Sequence, residues 1–69
     1  MREKLRITLE AARRNSGMLQ KEVCEKLGIS ISTLINWESG KTFPPVDKAQ
    51  ELVNLYGLHL DDINFYTKT

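Results

Sequence analysis

Residues 20–37, QKEVCEKLGISISTLINW, constrain this chain more than any other stretch. Val23 and Leu27 stand four residues apart and share one helical face. Gly28 interrupts that pattern where a sharp reversal needs a left-handed residue, a conformation that glycine adopts with little strain. Ile29 follows as an inward apolar residue, and Ser30 suits the N-cap of a new helix. Leu34 and Trp37 then resume the apolar stripe. Cys24 is small where two closely crossing helices would meet, and a larger side chain there would push them apart. Two short helices joined by one tight turn are predicted, with the motif's core over residues 20–39.

A lone apolar residue at helical spacing signals only a core. Val23, Leu27, Ile29, Leu34 and Trp37 together, around Gly28, specify more. They match the helix-turn-helix, whose second helix lies in the DNA major groove.

The rest of the chain reads as helical and as one domain, residues 1–69. No segment alternates with period two. A first helix is predicted over residues 2–15, with Leu5, Leu9 and Ala12 on one stripe and Gly17 just beyond its end. Met18 is expected to enter the core. The motif's helices should cover about residues 20–27 and 31–39, with Gly40 as a stop. Pro44 and Pro45 break the chain, because the residue before a proline avoids helical angles. A fourth helix follows to about residue 56, with Ala49, Leu52, Val53 and Tyr56 inward and Gly57 at its end. A last short helix is predicted over residues 60–65, with Ile63 on the core and Asp61 and Asp62 in its first turn.

Net charge is only +1, but its distribution is uneven. Residues 1–41 hold eight Lys/Arg against five Glu, and residues 42–69 hold two Lys against four acids. The basic part coincides with the motif, where attraction to phosphate is useful. A single Cys excludes an intrachain disulfide and a paired-thiolate zinc site, and it suits a reducing compartment. The N-terminal MREKLRITLE lacks a signal-peptide apolar core, and no apolar run approaches the ~20 residues of a membrane span. A cytoplasmic location is expected, with no membrane partner.

Residues 5–65 resemble the phage-repressor and Cro-type helix-turn-helix family, also called the xenobiotic-response-element family. The resemblance is carried by Gly17, Gln20, VCEKLGIS, STL, WESGKTFP and the ending LYGLHLDDI. WESGKT with its following Pro is the most specific piece. The resemblance implies an all-α, compact five-helix, lambda-repressor-like domain that binds operator DNA, commonly as a dimer. It also implies a structural tie between Arg13 and Glu38, joining the first helix to the third. Two positions depart from the family: Leu19 and His59 stand where a Ser or Thr cap is usual. Each departure forgoes about 1 kcal/mol of capping.

The third helix has an inner face of Leu34 and Trp37 and an outer face of Ile31, Ser32, Ile35, Asn36 and Ser39. That outer face carries no charge, whereas a solvated face normally would. Ile31, Ser32, Ile35 and Asn36 are the expected base-reading residues: Asn bonds adenine twice, and Ile packs on a thymine methyl. A·T pairs should dominate the directly read positions. The competing assignment packs the two Ile on a neighbouring loop. Phosphate contacts are expected from Gln20 and Lys21 at the start of the second helix. Lys41, Thr42 and the Phe43 backbone resemble the family's phosphate clamp. Thr33 either reaches a phosphate or supports the start of the third helix.

An enzyme is not expected: one His and no Gly-rich phosphate loop leave no catalytic constellation. No cofactor, metal or small-molecule ligand is inferred. Leu58, Leu60, Phe65 and Tyr66 are the candidate dimer surface. The functional expectation is a sequence-specific regulator of double-stranded DNA, a repressor in preference to an activator, binding as a homodimer. The alternative is a protein-interaction module, such as an antitoxin or accessory regulator.

Overall fold

Thr8 decides where the first helix begins. Its backbone is extended, and its hydroxyl accepts from the Ala11 N–H at 3.0 Å. The helix therefore runs Leu9–Asn15 (α1), with Leu9 and Ala12 buried. This corrects the predicted start at residue 2. Thr8 and Ile7 are β-branched, and β-branched side chains favour extended backbone. Ile7 forms a parallel β-bridge with Ile63: its N–H donates to Asp62 O at 3.0 Å, and Asn64 N–H donates to Ile7 O at 2.9 Å. The computed structural model describes residues 7–65. The predicted helical residues 2–6, Leu5 among them, lie outside that range, as does Tyr66.

Three further helices follow: α2 (Gln20–Leu27), α3 (Ile31–Ser39) and α4 (Val46–Tyr56). Gly28 ends α2 at φ 71°, in the left-handed region. A Cβ there would meet no atom within 4 Å, so its glycine is required by the backbone angle and not by crowding. The predicted fifth helix is not an α-helix. Leu60–Asp62 form one 3₁₀ turn, after which Ile63 is extended. The β-bridge to Ile7 takes the backbone groups that a longer helix would need. The described residues thus form four α-helices and one 3₁₀ turn, with no strand beyond the isolated bridge.

Packing centres on α3. It lies against α1 and α2, while α4 covers α2 and receives the 3₁₀ turn. Leu34, Leu52, Val23 and Val53 are fully buried, and Leu9, Leu27, Trp37 and Ile63 complete the core around them. Met18 and Ile29 pack against it half-buried. Cys24 is 5% exposed at the α2–α3 junction, and its thiol donates to Ser30 O at 3.4 Å. Burial pushes that thiol's pKa up, and the nearby Glu38 and Glu25 add to the rise. Lys48 ties α4 to α2 by donating to Leu27 O at 2.9 Å, on one of the carbonyls that a helix end leaves open.

The uncapped starts at Leu19 and His59 are partly compensated. Leu19 supplies no capping side chain, but its N–H donates to Glu22 Oε1 at 2.8 Å. His59 N–H likewise donates to Asp62 Oδ2 at 2.9 Å. Each is the reciprocal half of a capping box.

The Tyr56 hydroxyl is buried without a hydrogen-bond partner. Burial pushes its phenol well up, and the negative Glu38 adds to that. Tyr56→Phe removes the unsatisfied group while keeping the ring. Urea denaturation should show stability unchanged or raised by up to about 1 kcal/mol. A loss above that would mean that the hydroxyl is bonded in solution.

Candidate nucleic-acid interface

Ser30 builds the start of α3. Its Oγ accepts from the Thr33 N–H at 3.1 Å and lies 2.9 Å from the Thr33 hydroxyl. Thr33 thus takes part in the start of the helix, through both its N–H and its hydroxyl. Burying Leu34 and Trp37 rotates the opposite face outward. Ile31 is 40% and Ile35 44% exposed, with Ser32 exposed and Asn36 half-buried between core and solvent. The two isoleucines are not covered by a neighbouring loop.

The loop after α3 is fastened to the same helix. Gly40 is left-handed, and Lys41 N–H donates to Asn36 O at 2.9 Å, with Thr42 N–H on the same carbonyl at 3.3 Å. Asn36 thus carries a side chain on the outer face of α3 and a carbonyl that holds the Lys41–Thr42 turn. Lys41 and Thr42 are exposed. At the start of α2, the N–H groups of Gln20, Lys21 and Glu22 have no acceptor within the helix. Leu19 brings no side chain to them, so these donors are left open at the positive end of the helix dipole.

Arg13 and Glu38 form a buried ion pair across α1 and α3. Arg13 Nε donates to Glu38 Oε2 at 2.8 Å, and Nη2 donates to Oε1 at 3.3 Å. The two side chains are 9% and 5% exposed. The hydrogen bond to Glu38 pushes the guanidinium pKa up, against the lowering effect of burial. Arg13 Nη1 also donates to Met18 O at 3.0 Å, which fixes the chain between α1 and α2. Gln20 joins this cluster, as its Nε2 donates to Glu38 Oε1 at 3.1 Å.

The candidate dimer residues separate. Leu60 is 39% exposed, and Phe65 is half-buried. Both line a groove of about 350 Å³ together with Phe43, Pro44, Val46 and Ala49. Leu58 packs half-buried against the core and does not line that groove. The expected exposed patch is corrected on that point. Phe43, at 52% exposed, and Val46, at 80%, are apolar surface that the sequence assigned elsewhere or not at all. Val46 is three residues before the buried Ala49, so periodicity alone turns it inward. It is the first residue of α4, and the buried residues of that helix begin only at Ala49. The Pro-Pro-Val sequence was its only signal.

Among the described residues, no helix is long and apolar enough to cross a membrane, and no three His, Cys, Asp or Glu side chains gather where they could hold a metal ion.

A family model described as helix-turn-helix matches residues 9–63, most of the chain. The protein belongs to the Cro-type, xenobiotic-response-element family of helix-turn-helix proteins. That membership gives it the class of a DNA-binding regulator of transcription. No curated protein and no solved structure matched the chain.

Proposed function

We propose that this protein is a repressor that binds a two-fold symmetric operator as a homodimer, with α3 in the major groove of each half-site. One observation carries the reading: the outer face of α3 is exposed and uncharged, with Ile31 and Ile35 beside Ser32 and Asn36. Exposed isoleucines are unfavourable in water and gain from contact with thymine methyls. The basic half of the chain and the open N–H groups of α2 supply sequence-independent attraction around that face. The protein is read as a binder and not an enzyme, acting in the cytosol on the nucleoid.

The second copy is assigned to the apolar groove beside the Lys41–Thr42 turn. Phe43 follows that turn directly, so a copy seated there lies beside the turn proposed to contact phosphate. A protein-interaction module would use the same groove, which is why the deciding test is made on DNA.

That test is selection from random duplexes at physiological salt. A palindrome rich in A·T, with half-sites about 34 Å apart, is the expected product. A folded sample that enriches nothing would sink the reading in favour of the interaction module. An enriched single half-site would remove the dimer alone.

Two substitutions separate base reading from phosphate contact. Asn36→Ala should cost about 1–3 kcal/mol on the selected site and relax preference at one adenine. An equal loss on random DNA would show that Asn36 reads no base. Lys41→Ala should weaken binding to all sequences alike and lower the salt slope by about one. An unchanged slope would take Lys41 out of the contact.

A further inference from the structure

We infer that Glu38 is a positioning residue for DNA binding, acting through Gln20: its buried carboxylate sets which way the Gln20 amide faces at the border of the α3 reading face. The inference rests on the DNA-binding reading above and adds a residue that never touches the duplex.

The carboxylate is itself held through both oxygens. Arg13 holds one oxygen at 2.8 Å and the other at 3.3 Å, and Arg13 is anchored in turn on Met18 O at 3.0 Å. Gln20 Nε2 meets the second oxygen at 3.1 Å. An ionised carboxylate only accepts, so the amide must turn its nitrogen toward Glu38. The flipped amide would set oxygen against oxygen. The chemistry of the partner therefore fixes the orientation. It leaves Gln20 Oε1 and the second N–H of its nitrogen directed away from Glu38.

The location gives that orientation a use. Gln20, Glu38, Ile35 and Ser39 line one shallow depression of about 170 Å³ with Glu10. Gln20 is the first residue of α2 and adjoins Ile35 on the reading face. Ile31 and Ile35 have no polar side-chain atom with which to hold it. Glu38 does so from the last turn of α3. Because Arg13 neutralises Glu38, the carboxylate can polarise the amide without repelling a phosphate nearby. The outward N–H is then ready to donate to a phosphate oxygen at the groove edge, and little side-chain freedom is lost on binding.

The test is a double-mutant cycle read as affinity for the selected duplex. Glu38→Asp keeps a charge beside Arg13 but shortens the reach to Gln20, and Gln20→Ala removes the amide. Glu38→Asp should weaken binding about fivefold when Gln20 is present and by less than about twofold in the Gln20→Ala background. Equal weakening in both backgrounds would overturn the relay, because a purely structural defect acts regardless of Gln20. Melting temperatures, taken in parallel, should fall alike in both backgrounds. If Glu38→Asp folds too poorly to assay, side-chain amide hydrogen exchange in the wild-type chain decides. The Gln20 amide should exchange more slowly than that of Gln50, whose partner Asn54 lies on the exposed surface. Equal exchange would overturn the inference. A wild-type chain that binds no duplex fails the DNA-binding reading itself, and this role with it. A wild-type chain that binds while the two effects add fails the relay alone.

Discussion

Leu34→Ala should lower the free energy of unfolding by about 3–4 kcal/mol. Leu34 is fully buried on the inner face of α3, within the cluster that includes Val23, Leu52 and Val53. Its neighbours Val23, Leu52 and Val53 are fully buried on two other helices, α2 and α4, whose backbones limit how far they can collapse into the space. The lost transfer energy and the cavity then add. A domain of this size is held by only about 3–10 kcal/mol in total, so the variant should be partly unfolded at 37 °C. Urea denaturation followed by circular dichroism and by Trp37 fluorescence measures the loss. A change below about 1 kcal/mol would mean that α3 is not the centre of the core. DNA binding should fall with the folded fraction, and the sequence preference of the remaining folded protein should be unchanged.

Glu38→Ala is the second large effect, at about 3 kcal/mol, and it has a different origin. Burial of the ion pair leaves few solvent contacts to replace the missing carboxylate, with Arg13 at 9% side-chain exposure. Removing Glu38 takes the acceptor from Arg13 Nε and Nη2 and from Gln20 Nε2 at once. The penalty is that of an uncompensated buried charge, not of a lost surface attraction. Two measurements separate these. The loss should persist in 1 M salt, which screens exposed pairs. Replacing both partners, with Arg13→Met and Glu38→Leu, should recover most of it. A loss under about 1 kcal/mol that disappears in salt would reduce the pair to a surface contact. The exposed pair of Arg14 and Glu10, 2.7 Å apart at (i, i+4), offers the comparison within the same chain.

The helix-turn-helix itself was legible in the sequence nearly to the residue. Gly28 and Gly40 are left-handed and end α2 and α3 where expected, and Ser30 caps α3. These are local events, decided by a few neighbouring residues, so a linear reading reaches them. The outer face of α3 was legible for the same reason, since burying Leu34 and Trp37 fixes by helical period what is left outside. The errors lie at the ends. The first helix starts at Leu9, and the last predicted helix is one 3₁₀ turn. Ile7 and Ile63 pair across nearly the whole chain, and no local pattern announces a single parallel bridge. The same limit hid the groove: Phe43 and Val46 became exposed surface only once α4 and the 3₁₀ turn had settled around them.

The sequence by itself determined the helix-turn-helix, the uncharged face of α3 and the family resemblance, because helical period, glycine and capping chemistry act over a few residues. Only the tertiary structure decided that Ile7 pairs with Ile63, that Leu58 packs against the core while Val46 does not, and that the carboxylate of the expected Arg13–Glu38 tie also accepts from Gln20. Those outcomes depend on where distant segments meet. The Glu38 carboxylate has its role because α1, α2 and the end of α3 converge on one buried point, where a charge must find all its partners at once.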